Sequence, residues 1–118
     1  MEADLSDRDS IMKACEGATY IMHTASPCPI GPTADEKKEV IDPAVDGMKA
    51  VLDAAVANKT KRVVHLSSLA TIFQTKKIQK LYTPKTWTDI PATTAPYERA
   101  KTLAEKYAWD FVDKLPED

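Results

Sequence analysis

The sequence predicts an α/β fold containing part of a doubly wound parallel sheet. Three observations carry that expectation. Two short β-prone runs, 18–25 and 61–68, are separated by a long helical stretch. Neither run alternates cleanly between apolar and polar, which suits strands covered on both faces. Helices alternate with the strands, and that order implies parallel pairing through right-handed crossovers. Two strands make a poor sheet alone, so the 118 residues read as one partial domain, a slice of a larger one.

Each element has its own signal. Residues 7–16 predict a short helix, with Ile11, Met12 and Cys15 at helical spacing, Ser6 or Asp7 as its cap and Gly17 just past its end. The run 18–25 follows and is broken by Pro27, Pro29 and Pro32, which cannot continue a central strand. Residues 34–58 predict a helix in two pieces. Ile41, Val45, Met48, Leu52 and Ala55 form its apolar stripe, widened by Ala44 and Val51. Asp42 is expected to cap a restart at Pro43, because proline is tolerated at the first helical position. The second strand, 61–68, ends in Ser67 and Ser68. A long polar loop, 69–96, carries Lys76, Lys77, Lys80 and Lys85. The last helix is expected from Pro96 to Lys114, capped by Thr94 or Ala95. Its expected apolar face is Ala100, Leu103, Ala104, Tyr107, Ala108 and Phe111.

Composition excludes several classes of function. Apolar residues make up 43% and charged residues 29%, so collagen-like and wholly disordered readings fail. A net charge of -2 leaves no electrostatic footprint for nucleic acid. No apolar run is long enough to span a membrane. The acidic start lacks the apolar core of a secretory signal. Cys15 and Cys28 are expected to be packed, reduced thiols in a cytoplasmic chain, and no metal-ligand spacing is present. Only three glycines occur, at 17, 31 and 47, so no glycine-rich phosphate loop lies within the chain.

The chemistry concentrates in Tyr97 and Lys101, one helical turn apart on one face. A free phenol, with a pKa near 10, is a poor proton donor at neutral pH. A neighbouring ammonium favours the phenolate, so such a pair can exchange a proton with a carbonyl or alcohol oxygen. The spacing alone is weak, because it arises by chance in many chains of this composition. Ser67 and Ser68 strengthen it. They end a strand, and ligands of open α/β sheets bind beyond the carboxyl ends of strands. The patch His23, Thr24, Ala25 and Ser26 ends the other strand at the same edge.

On these residues the chain resembles the middle of an extended short-chain dehydrogenase/reductase, of the NAD-dependent epimerase/dehydratase superfamily. It is most similar there to dihydroflavonol and cinnamoyl-CoA reductases. The matching stretches occur in family order: A-D-L-S-D (3–7), H-T-A-S-P (23–27), E-V-I-D-P-A-V-D-G-M (39–48), R-V-V-H-L-S-S (62–68), T-W-T-D (86–89) and Y-E-R-A-K-T-L-A-E (97–105). The resemblance implies a partial Rossmann-like domain. The family's N-terminal strand with its glycine-rich turn, and its C-terminal substrate domain, have no counterpart in these residues.

It also implies site roles. Ser68 matches the serine that orients a substrate carbonyl, and Tyr97 the proton donor. Lys101 matches the lysine that assists the tyrosine and binds the nicotinamide ribose. Asp4 and Leu5 match the pair beside the adenine, and Thr24, Ala25 and Ser26 match cofactor-lining residues. His23 and His65 are expected to be structural. The implied cofactor is NADP, with NAD as the alternative, and the implied substrate is a small carbonyl compound. The expected reaction is carbonyl reduction by hydride transfer. Alternatives are a non-catalytic remnant or interaction subunit, or a sugar-nucleotide epimerase, dehydratase or hydroxysteroid dehydrogenase of the same superfamily. The missing glycine loop predicts weak cofactor binding by this stretch alone. Open sheet edges predict self-association.

Overall fold

The structure, a computed structural model, describes residues 1–73, 80–90 and 95–116. The chain forms α1 (Arg8–Ala14), β1 (Tyr20–His23), a π-helical turn (Lys37–Ile41), α2 (Asp42–Ala57), β2 (Arg62–His65), a 3-10 turn (Leu69–Thr71) and α3 (Pro96–Val112). The α/β order is the predicted one. No helix among the described residues is long and apolar enough to cross a membrane.

Asp7 begins α1, its carboxylate accepting from the backbone N–H groups of Asp9 and Ser10. Gly17 follows with φ +70°, a conformation that glycine adopts without strain. Its N–H donates to Asn58 Oδ1 at 3.1 Å, tying the exit of α1 to the end of α2.

β1 and β2 pair in parallel, with Tyr20 opposite Arg62 and His23 opposite His65. The ladder is shorter than predicted. It extends past both strands through Lys61 N–H to Thr19 O at 2.9 Å and Leu66 N–H to His23 O at 3.0 Å. Strand alternation sends Ile21 and Val63 to one face, where they pack on a core of Ile11, Cys15, Ala50, Val51 and Ala54. Tyr20, Met22 and Val64 point the other way and are exposed, Met22 by 75%. The expectation of two covered faces is therefore corrected, because among the described residues the helices supply cover on one side only. Cys28 is also exposed, unlike the buried Cys15.

Two further corrections concern α2. Asp42 does not cap it. Asp42 sits inside the helical run, and its carboxylate accepts from Lys37 Nζ at 2.6 and 2.8 Å. Pro43 has no N–H to give the preceding turn, and the chain meets that gap with a π-helical turn running straight into α2. Burial on α2 is also broader than one stripe, because α1 and α3 pack against it from different sides. On the α3 side, Met48, Leu52 and Ala104 form a core with Tyr107, Ala108 and Phe111. A further cluster joins Val40 and Ala44 to Ala100.

α3 ends at Val112, two residues before Lys114. Leu103, expected in its apolar face, is 37% exposed, while Lys101 and Thr102 are buried. The polar site and the sheet end claim that side of the helix. Ala95 precedes α3 without a side-chain cap, and Pro96 takes the first turn. The other proposed cap, Thr94, and the loop lysines Lys76 and Lys77 lie outside the described residues.

Candidate active site

The in-register parallel pairing brings the carboxyl ends of β1 and β2 side by side, so Thr24–Ser26 and Leu66–Ser68 leave the sheet at one edge. Thr24 and Ala25 are exposed there, and Ser26 is half-buried. Ser26 Oγ is buried without a hydrogen-bond partner among the described residues. An orphaned hydroxyl at a strand end is what a ligand-binding edge leaves when its polar groups face a bound molecule.

Ser68 is extended (φ -153°, ψ 153°), and its Oγ accepts from the Ala70 N–H at 3.1 Å. That bond uses an acceptor site of the hydroxyl and leaves its proton available to donate. The Ser68 carbonyl accepts from the N–H and the hydroxyl of Thr71, at 3.1 and 2.9 Å. The T-W-T-D stretch holds this turn from behind. Thr88 is buried, its N–H donates to Thr71 O at 2.7 Å, and its hydroxyl donates to Ala70 O at 2.6 Å. Sequence reasoning used that stretch only as a family marker and missed this anchoring role.

α3 packs on the 3-10 turn. Lys101 is 3% exposed, and its Nζ donates to Leu66 O at 2.5 Å, two residues before Ser68. Burial pulls the Lys101 ammonium below the ordinary lysine range, while Glu105 acts in the opposite direction. Tyr97, half-buried, stands one turn earlier on α3. Helix and strand end thus meet at Lys101 and Leu66.

Asp4 and Leu5 lie before α1. Asp4 Oδ1 accepts from the N–H and the hydroxyl of Ser6, at 2.8 and 2.5 Å, and these bonds hold its carboxyl below the usual carboxylate range. Leu5 rests on α2 at Gly47, where an added Cβ would come within 2.5 Å of Leu5 Cδ2. α2 returns from the carboxyl end of β1, so this early part of the helix places Leu5 toward the same edge as Thr24–Ser26.

His23 and His65 stack beneath the edge, with ring centroids 5.6 Å apart and planes 25° from parallel. Neither nitrogen of His65 has a partner among the described residues. Burial first, then the charge of Lys101 and then His23, push His65 down to about 4, against a smaller opposing effect of Glu105. Burial and Lys101 lower His23 as well. Both are neutral packing groups at pH 7, as expected from the sequence. Between pH 6.5 and about 4 the unfolded chain takes up a proton at His65 that the folded chain refuses. The stability that neutral His65 contributes is complete above 6.5 and lost as the pH falls toward 4. The urea midpoint is therefore expected to fall between about pH 7 and about pH 5. His65→Phe, which keeps a ring against His23, is expected to flatten that dependence, and identical pH dependences in the two proteins would contradict it.

Residues 1–112 match the 3-beta hydroxysteroid dehydrogenase/isomerase family. The chain belongs to this family. Its relatives include dihydroflavonol 4-reductase of Arabidopsis thaliana, 35% identical over 96% of this chain and 31% of that protein. Cinnamoyl-CoA reductase 2 of the same plant is 34% identical over 92% of this chain and 32% of that protein. Among solved structures, the yeast methylglyoxal/isovaleraldehyde reductase complexed with NADPH superposes with a TM-score of 0.80 at 27% identity. That match covers 94% of this chain and 37% of the reductase. The similarity to dihydroflavonol and cinnamoyl-CoA reductases expected from the motifs holds, and so does the partial Rossmann-like fold. The chain spans about a third of the length of the curated relatives it matches.

Proposed function

We propose that this family member is part of an NAD(P)-dependent oxidoreductase that reduces a small carbonyl compound to an alcohol, with NADPH preferred. The observation that carries the reading is the buried Lys101, fixed to the Leu66 carbonyl two residues before Ser68 and one turn after Tyr97. Thr24, Ala25 and Ser26 would line the cofactor, Asp4 and Leu5 would flank its adenine, and Lys101 would meet its ribose. When bound, the nicotinamide supplies hydride to the carbonyl carbon.

The residues of this chain do the rest. The Ser68 hydroxyl donates a hydrogen bond to the carbonyl oxygen and orients it. The Tyr97 phenol donates its proton to that oxygen as negative charge develops there. The Lys101 ammonium stabilises the phenolate left behind. NADPH oxidation in the presence of aldehydes or ketones, with the alcohol as product, is the expected result for a polypeptide that completes the cofactor site around this segment, supplied with a panel of carbonyl compounds, steroids and sugar nucleotides. Turnover of sugar nucleotides alone, without net NADPH consumption, would overturn carbonyl reduction in favour of an epimerase.

We also infer self-association of the 118-residue chain when produced by itself. The outer edge of β2 faces a groove of about 980 Å³ lined in part by Val56, Val63, Phe111 and Val112. Unpaired strand edges beside apolar surface pair readily with another copy. Sedimentation velocity is expected to show species larger than a monomer, growing with concentration. A single monomeric species at all concentrations would refute this.

A further inference from the structure

Glu105 takes no part in the proposed proton transfer. It stands one turn after Lys101 and two turns after Tyr97, so the three share one face of α3. Ser67 Oγ donates to Glu105 Oε2, a bond that is partly buried and joins residues 38 apart in the chain. Trp109 Nε1 donates to Glu105 Oε1 at 3.4 Å, steadying the carboxylate from the next turn. Of three consecutive residues at the end of β2, Leu66 is therefore held by Lys101, Ser67 is held by Glu105, and Ser68 follows with its hydroxyl at the edge.

We propose that Glu105 is a positioning residue which, through Ser67, sets the placement of Ser68 against the Tyr97–Lys101 face of α3. The inference rests on the proposed reacting set Ser68, Tyr97 and Lys101. Two bonds to adjacent residues define both the height and the rotation of the strand end against the helix, which one bond cannot do. Reaction geometry is steep in distance, and a displacement of about 1 Å can cost about 100-fold in rate. Glu105 has a second effect on the same face. The charged or titratable groups around Lys101 are His23 of β1, Cys28 of the following loop, His65 of β2 and Glu105 of α3 itself. Among them Glu105 gives the larger support to the ammonium, against its burial.

The test compares Ser67→Ala, which removes the tether and keeps the carboxylate, with Glu105→Gln, which removes the charge and keeps the size. Both are made in the full polypeptide that carries this segment. With NADPH and a turned-over carbonyl compound, Ser67→Ala is expected to lower kcat about 10- to 100-fold, and Glu105→Gln, whose amide oxygen can still accept from Ser67, by less, with KM for NADPH changed less than about threefold in both. Circular dichroism is expected to be unchanged. Lys101, followed by the 13Cε shift of labelled lysine, is expected to titrate at lower pH in Glu105→Gln and at its original pH in Ser67→Ala. Two results overturn the inference: kcat of Ser67→Ala within about twofold of the parent, or a Lys101 titration unmoved by Glu105→Gln. Tyr97→Phe separates the two readings. If it abolishes turnover while Ser67→Ala does not reduce it, only the positioning role falls. If Tyr97→Phe retains turnover, the reacting set itself is wrong. Where no carbonyl compound is turned over, the Lys101 titration still decides.

Discussion

In a polypeptide that completes the cofactor site around this segment, Tyr97→Phe is expected to lower kcat for carbonyl reduction by about 10²- to 10⁴-fold, the usual worth of a positioned general acid. The substitution removes one oxygen and keeps the ring, so half-buried Tyr97 loses its proton while its packing in the first turn of α3 survives. NADPH binding, read from nucleotide fluorescence, is expected to stay within about twofold, because the interactions lost are made only as charge develops on the substrate oxygen. A drop in kcat without a rise in KM for NADPH is the signature of that role. Turnover close to the parent would remove Tyr97 from the mechanism and return Tyr97 and Lys101 to an ordinary helix face.

Met48→Ala is expected to produce the largest loss of stability. Met48 is completely buried, packed with Leu52 and Ala104 where α2 meets α3. Truncating a buried methionine costs about 2–5 kcal/mol, from lost apolar transfer and from the cavity left behind. Against a total stability of about 5–15 kcal/mol, that is a large share. With a urea slope of about 2 kcal/mol/M, the midpoint is expected to move down by roughly 1–2.5 M. The contact also sets how α3 sits against α2, so the variant is expected to lose activity while still folded at low urea. A midpoint unchanged from the parent would show that the α2–α3 contact is not a principal source of stability.

Which parts of the chain were legible in advance follows from the range over which each signal acts. Asp7 capping α1, Gly17 leaving it with positive φ and Pro96 opening α3 are decided within a few residues, and each stands where local rules place it. The same holds for the spacing of Tyr97 and Lys101 on α3. Asp42 shows the limit of such rules. As a residue before proline it was a plausible cap, yet Lys37 took its carboxylate and the helix ran through a π turn instead. The local signal of a residue before proline was outweighed by a continuous helical run, in which Asp42 pairs with Lys37 instead of capping.

The site divides in the same way. Tyr97 and Lys101 were singled out by their spacing, Ser67 and Ser68 by their place at a strand end, and Ser68 took its proposed role from the family resemblance. The bonds that Glu105 and Thr88 make were not foreseen. A signal for Glu105 existed, since 97, 101, 105 and 109 repeat at the helical spacing, but spacing alone could not say that a strand end lies opposite.

By itself the sequence determined the α/β order, the parallel pairing, the motif set that marks the family and the helix face carrying Tyr97 and Lys101. Each of these follows from periodicity, caps or residue type along a short span. The tertiary structure alone decided which strand face is covered, that Lys101 is buried on the Leu66 carbonyl and that Glu105 holds Ser67. Those bonds join residues 35 and 38 apart. Such a contact forms only after the helices have packed on the sheet, and its partner is chosen by the geometry of that packing, of which a local pattern of residues carries no record.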